Sequence, residues 1–253
     1  MKEPTTLVPE FSASSLSYRG AGMTHAGRVR EENEDSILTD PTDVFWAIAD
    51  GMGGYGHGQT ASEIVIDWLS RMQDDGDVRG QLDTLLVAAN RDIQVRAHEL
   101  GSERIGATVI ALKLDKSWGH IAWVGDCRAY VCREGRLQQL TRDHTVVEEL
   151  VRDGLLEPEN ARGHVNANVV TRAVGAEPVL DVEHRTVPLF TEDRIILCSD
   201  GLTTSLEDAD ILGHVAAAPD PEAAARFLLA DALAKGAPDN VSVIVIFAEG
   251  SEP

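Results

Sequence analysis

The chain has 253 residues, 22 of them basic and 42 acidic, for a formal net charge of −20. That excess of acid excludes a phosphate-backbone binder, which needs clustered Lys and Arg to displace counterions. A 43% share of hydrophobic residues, spread along the chain, excludes a disordered acidic tail and supplies a sizeable core.

Residues 1–17 and Gly250–Pro253 lack apolar periodicity and are expected to be mobile ends, leaving one domain over residues 18–249. The start, MKEPTTLVPEFSASSLS, has no signal-peptide core, and no apolar run approaches the roughly 20 residues that span a bilayer. The default expectation is a cytoplasmic protein without a membrane anchor.

Val44–Ala49 is a short continuous apolar run, predicting a strand buried on both faces, and it leads straight into Asp50 and a glycine cluster. Ala61, Ile64, Val65, Trp68, Leu69 and Met72 then recur at helical spacing, and a second helix is predicted from Val78 to Leu100. Thr108–Leu114, His120–Gly125 and Arg128–Arg133 read as successive strands of a meander, the last closed by a turn at Glu134-Gly135. His144–Asp153 reads as helix, and the polar stretch Glu157–Asn168 as an irregular insertion. Arg194–Cys198 is a further strand, Glu207–Ala217 and Pro221–Lys235 are helical, and Val241–Phe247 closes the chain as a buried strand. Strands in the middle with helices in pairs around them imply sheets covered by helices. Cys127, Cys132 and Cys198 are odd in number with no Cys-x-x-Cys pair, so reduced, buried thiols are expected rather than disulfides or a zinc site.

Acidic residues recur where predicted strands begin or end: Asp35, Asp50, Asp126, Asp200 and Asp239. One Asp beside Gly is ordinary turn chemistry. Five carboxylates at strand ends, each costly to desolvate alone, instead ask for a cation. With no Cys cluster or paired His, the donors are all oxygen, which suits Mg²⁺ or Mn²⁺ and makes a binuclear site plausible. In Asp50-Gly51-Met52-Gly53-Gly54 a backbone without Cβ can bring the Gly51 carbonyl to a metal. A nucleotide-phosphate loop is disfavoured, because no Gly-Lys-Ser/Thr follows. Arg30, five residues before Asp35, can deliver a guanidinium to the rim of the same site and hold a phosphate there.

The collinear set Arg30-x-x-Asn33-Glu34-Asp35, Asp50-Gly51-Met52-Gly53-Gly54, Gly106-Ala107-Thr108, Gly125-Asp126-Cys127-Arg128, Leu140-Thr141-Arg142-Asp143-His144, Ser199-Asp200-Gly201-Leu202 and Pro238-Asp239-Asn240 resembles the bacterial metal-dependent protein Ser/Thr phosphatases of the PP2C (PPM) type. The likeness runs over roughly residues 18–248. It implies an α+β fold, an α-β-β-α sandwich of two central antiparallel β-sheets flanked by helices. It further implies hydrolysis of phosphoserine and phosphothreonine by a metal-bridging water. Asp50, Gly51, Asp200 and Asp239 would hold two Mn²⁺ or Mg²⁺ ions, and Asp35 would support them through water. Arg30 would bind the phosphate, and residues 157–168, with His164, would form a flap that meets the substrate. The implied partners are phosphorylated proteins and a cognate Ser/Thr kinase, with no nucleic acid and a monomeric state.

Two positions depart from the family pattern. A third, weaker metal is usually held by residues matching Asp126 and Asp200 and by a further Asp, where this chain has Thr204. Many eukaryotic members carry a His where this chain has Met52, so the general acid proposed for them is missing. Rival readings are a catalytically inactive phosphoprotein-binding module and a hydrolase of small phosphate esters.

Overall fold

The computed structural model describes residues 16–53, 57–74, 76–101 and 105–250. The chain opens with β1 (Leu16–His25), β2 (Asp35–Thr39) and β3 (Phe45–Gly53), then α1 (His57–Leu69) and α2 (Val78–Leu100). Four strands follow, β4 (Ile105–Asp115), β5 (Trp118–Val124), β6 (Arg128–Arg133) and β7 (Arg136–Gln139), and then α3 (Val146–Arg152). After an irregular stretch come β8 (Glu183–Pro188), β9 (Arg194–Cys198), α4 (Asp200–Ser205), α5 (Asp208–Ala217), α6 (Pro221–Ala234) and β10 (Val241–Gly250).

These strands form two five-stranded antiparallel sheets, ordered β1-β10-β9-β6-β7 and β2-β3-β4-β5-β8. Three apolar layers hold them. Trp46, Ile48, Ile110, Ile121, Leu197 and Ile244 interdigitate between the sheets. Ala47, Val65, Leu86, Ile93 and Val109 seal α1 and α2 onto the second sheet. Ile196, Leu202, Ile211, Leu228 and Val245 seal α4, α5 and α6 onto the first. Alternate residues of β3 and β10 thus enter different cores, so both strands lie in apolar surroundings on each face and read as unbroken hydrophobicity. Each fully buried Leu or Ile contributes roughly 1.5–3 kcal/mol. All three cysteines are free and buried.

The helix boundaries have local causes. Thr145 accepts from the Glu148 N–H at the start of α3, and Asp220 accepts from Ala223 N–H ahead of Pro221 in α6. Gly101 ends α2 with φ 63°. Thr145 therefore stops α3 short of the expected start at His144.

The structure corrects several expectations. Leu16 and Ser17 are not part of a mobile end but open β1, where Leu16 pairs with Gly250. Gly250 likewise closes β10 rather than fraying, while residues 1–15 and 251–253 lie outside the described residues. The predicted meander is split: β4 pairs with β5 in one sheet, whereas β6 pairs with β7 and β9 in the other. Gly125-Asp126-Cys127 is thus a crossing between sheets, made possible by a φ of 107° at Gly125. α1 begins at His57, earlier than the apolar spacing indicates, and ends at Leu69 before Met72.

β1 passes close to the large core side chain of β3. A Cβ built on Gly20 would stand 2.4 Å from Trp46 Cζ2 and 2.7 Å from Cη2, and Trp46 is only 2% exposed. Gly20→Ala is expected to cost about 1–3 kcal/mol through overpacking, read as a lower urea midpoint at constant m-value. An unchanged midpoint would show that the ring can yield.

Candidate metal centre

Strand register brings the acidic residues to one end of the sandwich. Asp35 opens β2 directly opposite Asp50 near the end of β3, and Asp50 in turn faces Thr108 of β4. On the other sheet, Cys198 pairs with both Val243 and Arg128, so Ser199-Asp200, Asp239-Asn240 and Asp126 share that end. α4 starts at Asp200 itself, a short helix for which the sequence pattern predicts no element.

The carboxylates sit within reach of one another. Asp50 and Asp200 lie close enough for each charge to act on the other. Arg30 Nη2 donates to Asp239 Oδ2 at 2.7 Å, which puts the guanidinium at the cluster's exposed rim. Asp35 is buried, and its Oδ2 accepts from Ser199 Oγ at 2.8 Å and Ser242 Oγ at 2.6 Å. Its Oδ1 is buried with no hydrogen-bond partner. Gly51 is needed for space: a Cβ there would fall 2.0 Å from Gly58 O and 2.7 Å from Glu34 O. Gly201 meets the same limit, since a Cβ would lie 1.8 Å from Asn240 O.

Two residues that the motif reading quotes without a role fasten this end together. Asn240 Nδ2 donates to Ala26 O at 3.0 Å and Glu32 O at 2.9 Å, while its Oδ1 accepts from Glu34 N–H at 2.8 Å. Glu34 Oε1 accepts from Gly58 N–H at 3.0 Å, and Glu34 O accepts from Gly51 N–H at 3.1 Å. The Asn240 bonds join residues some two hundred positions apart, so no local periodicity reveals them.

Electrostatics show what this costs. Burial pushes Asp35 and Asp200 up to about 6 and Asp126 up to about 8, and it holds Asp50 well above the ordinary carboxylate range. The neighbouring carboxylates add to each rise, Asp200 acting on Asp126 and Asp239 on Asp200. The two serine hydroxyls oppose the rise at Asp35. Among the described residues, no three His, Cys, Asp or Glu side chains form a cage for an ion by themselves. An ion here therefore takes much of its shell from backbone carbonyl and water oxygens, as Mg²⁺ commonly does. The orphaned Asp35 oxygen, the close approach at Gly51 and the all-oxygen donor set fit a hard divalent cation.

Other expected positions fall differently. Thr204 stands on α4 one turn after Asp200 and is exposed. A methyl on Gly106 would meet Met52 Cε at 3.2 Å, so the Met52 side chain lies over β4, and Gly54 lies outside the described residues. His164 Nδ1 accepts from Asn166 N–H at 3.1 Å within the irregular stretch. That stretch is tied to α4 by Arg162, which donates to Thr203 O at 3.0 Å and pairs with Glu207.

Residues 10–241 match the model of the family described as protein phosphatase 2C. The chain belongs to this family. It is 35% identical over 238 residues to the serine/threonine protein phosphatase PstP of Mycobacterium tuberculosis, covering 91% of this chain but only 45% of that protein. The chain thus spans less than half the length of this mycobacterial relative. It is 31% identical to the serine/threonine phosphatase stp of Listeria welshimeri, covering 88% of this chain and 93% of that one. Among solved structures, PppA, a key regulatory component of T6SS in Pseudomonas aeruginosa, superposes with a TM-score of 0.85 at 35% identity, covering 92% of this chain and 99% of that chain. The catalytic domain of PstP in complex with 2 manganese ions superposes with a TM-score of 0.85 at 33% identity, covering 93% and 100%. The shared architecture is the α+β sandwich described above.

The raised carboxylates carry a pH signature. Each has a higher pKa folded than unfolded, where Asp lies near 3.9, so its contribution to stability is complete at low pH and is lost as the pH rises through the folded value. The window therefore runs up to about 6 for Asp35 and Asp200 and on to about 8 for Asp126. Metal-free protein is expected to melt at a lower temperature at pH 8 than at pH 5.5, and Mn²⁺ to raise Tm more at pH 8. A Tm independent of both pH and Mn²⁺ would show that the cluster stores no repulsion.

Proposed function

We propose that this chain hydrolyses phosphoserine and phosphothreonine in proteins with the help of Mn²⁺ or Mg²⁺, opposing a cognate Ser/Thr kinase. The observation that carries the reading is the gathering of Asp35, Asp50, Asp126, Asp200 and Asp239 at one end of two sheets, with Arg30 at their rim. In this reading Asp50, the Gly51 carbonyl, Asp200 and Asp239 hold two ions. Asp35 orients water beside them, and Asp126 with Asp200 holds a third, weaker ion with Thr204 in place of a further acid. When bound, such ions supply a nucleophilic water at neutral pH and neutralise charge on the phosphoryl group.

The chain's own residues do the rest. Arg30 is held by Asp239 at 2.7 Å but is more than half exposed, so its fork can turn to phosphoryl oxygens once Asp239 faces a cation. Ser199 and Ser242 orient Asp35 by donating to one oxygen, which leaves the other free for water. Met52 carries no proton to give a leaving group, so protonation falls to water. Residues 157–168 serve as a flap over the domain of residues 18–249, with His164 meeting the substrate's polypeptide. Among the described residues no helix is long and apolar enough to cross a membrane. A monomer working on separate phosphoproteins completes the proposal.

Phosphate release from a phosphothreonine peptide is expected only when metal-stripped protein is given Mn²⁺ or Mg²⁺. Asp50→Asn and Asp239→Asn should each lower kcat/KM by at least about 100-fold, some 2.7 kcal/mol of transition-state stabilisation. Full turnover by either variant would remove that residue from the ligand set. Arg30→Ala is expected to act mainly on KM, raising it about tenfold. Unchanged kinetics would place the phosphate elsewhere.

A further inference from the structure

His144 lies outside the carboxylate cluster, is 5% exposed, and is joined at both ends to the turn that presents Asp126. Gly125 N–H donates to His144 Nδ1 at 3.0 Å, and His144 N–H donates back to Gly125 O at 2.9 Å. The residue just before Asp126 is therefore held through both its backbone groups by one side chain and its own amide. Gly125 cannot be replaced by a stiffer residue, because its φ is 107° and a Cβ would stand 2.3 Å from Thr108 Cβ. On the far side of Asp126, Cys127 Sγ lies 3.1 Å from Thr108 Oγ1. Thr108 thus supports the turn from below, and His144 is the polar group that fixes it from above.

The imidazole is enclosed on its other side as well. Accepting at Nδ1 places its proton on Nε2, which is buried 3.2 Å from Glu183 Oε1 without a hydrogen bond to it. Its ring stacks on Trp123 at 6.3 Å between centroids, and Trp123 Nε1 donates to Arg142 O. His144 O accepts from Thr171 N–H at 2.8 Å, which ties the same residue to the chain returning from the irregular stretch.

We propose that His144 is the positioning residue for Asp126: its Nδ1 holds the Gly125 peptide so that the carboxylate faces the weaker cation site. The inference rests on the proposed role of Asp126 as a ligand there. Partners that orient metal ligands typically account for about 10–100-fold in affinity.

The test is a Mn²⁺ titration of the full chain, following free Mn²⁺ by electron paramagnetic resonance. It compares wild type, Asp126→Ala, His144→Asn, His144→Gln and the double variant His144→Gln with Asp126→Ala, each shown folded by circular dichroism. The Asn amide oxygen falls where Nδ1 stood, whereas Gln carries its amide where Nε2 stood, so the pair is matched in polarity and differs in the atom that matters. His144→Gln is expected to weaken the weakest class of Mn²⁺ sites about tenfold or more, with the tight class unmoved. His144→Asn should stay within about threefold of wild type, and His144→Gln with Asp126→Ala should be no weaker than Asp126→Ala alone. If Asp126→Ala weakens that class while His144→Gln binds as wild type, the positioning role is overturned alone. The role also fails if Asn and Gln lose affinity equally. If wild type and Asp126→Ala give identical isotherms, Asp126 is no ligand and the inference falls with that assignment, while metal-dependent phosphopeptide hydrolysis is judged by its own assay.

Discussion

Repulsion among carboxylates buried at one end of the sandwich is the constraint around which the rest of this molecule is arranged. A buried, unpaired charge is disfavoured in a folded protein unless something nearby compensates it. Here the protein offers partial compensation: two serine hydroxyls on Asp35 and one guanidinium on Asp239. They leave one Asp35 oxygen bare, and burial still holds Asp35 and Asp126 above the ordinary carboxylate range. The imbalance is what a pair of divalent cations would relieve, and it is why stability and metal binding are coupled in this reading.

Holding such a cluster takes a rigid frame, and the two sheets provide it. Each acidic residue stands at or just beyond the end of a strand whose other residues are locked into an apolar layer, so the backbone near the site has little freedom. The glycines work at the same scale. Gly51 and Gly201 let backbone pass backbone where a single methyl would collide with a carbonyl, so the chain can bring residues from both sheets into one small volume. Asn240 then bonds to three different backbone groups across that gap. The tightness that serves the site is therefore packing of main chain on main chain, which side-chain substitution elsewhere cannot easily disturb.

The elements whose apolar residues meet a core at regular spacing were legible before the structure. Arg128–Arg133, Arg194–Cys198 and the long helix Val78–Leu100 fall where the apolar spacing puts them, because burial dictates their composition. The edge strands were not. β1, β7 and β8 are half exposed and interleave polar residues with apolar ones, so their pattern carries little signal until a partner strand is in place. The split of the meander was equally hidden, since a strand's own sequence does not say which of two sheets it joins. At the site, the Asp residues stood out by recurring at strand ends next to glycine. Glu34, Asn240, Ser199 and Ser242 did not, because their work is done through contacts distant in sequence.

The net charge of −20 sharpens the meaning of Arg30. A phosphoryl dianion approaching this protein meets a field of its own sign, so binding must be decided locally, over distances shorter than the roughly 8–10 Å at which salt screens the remainder. Arg30 is the cation at the rim of the cluster, and it already rests on Asp239, a proposed ligand. In the proposed function, Asp239 turned toward a cation would release that guanidinium to accept a phosphate. Metal loading and phosphate binding would then be one event: the same change that relieves the repulsion among the carboxylates would free the positive group for the substrate.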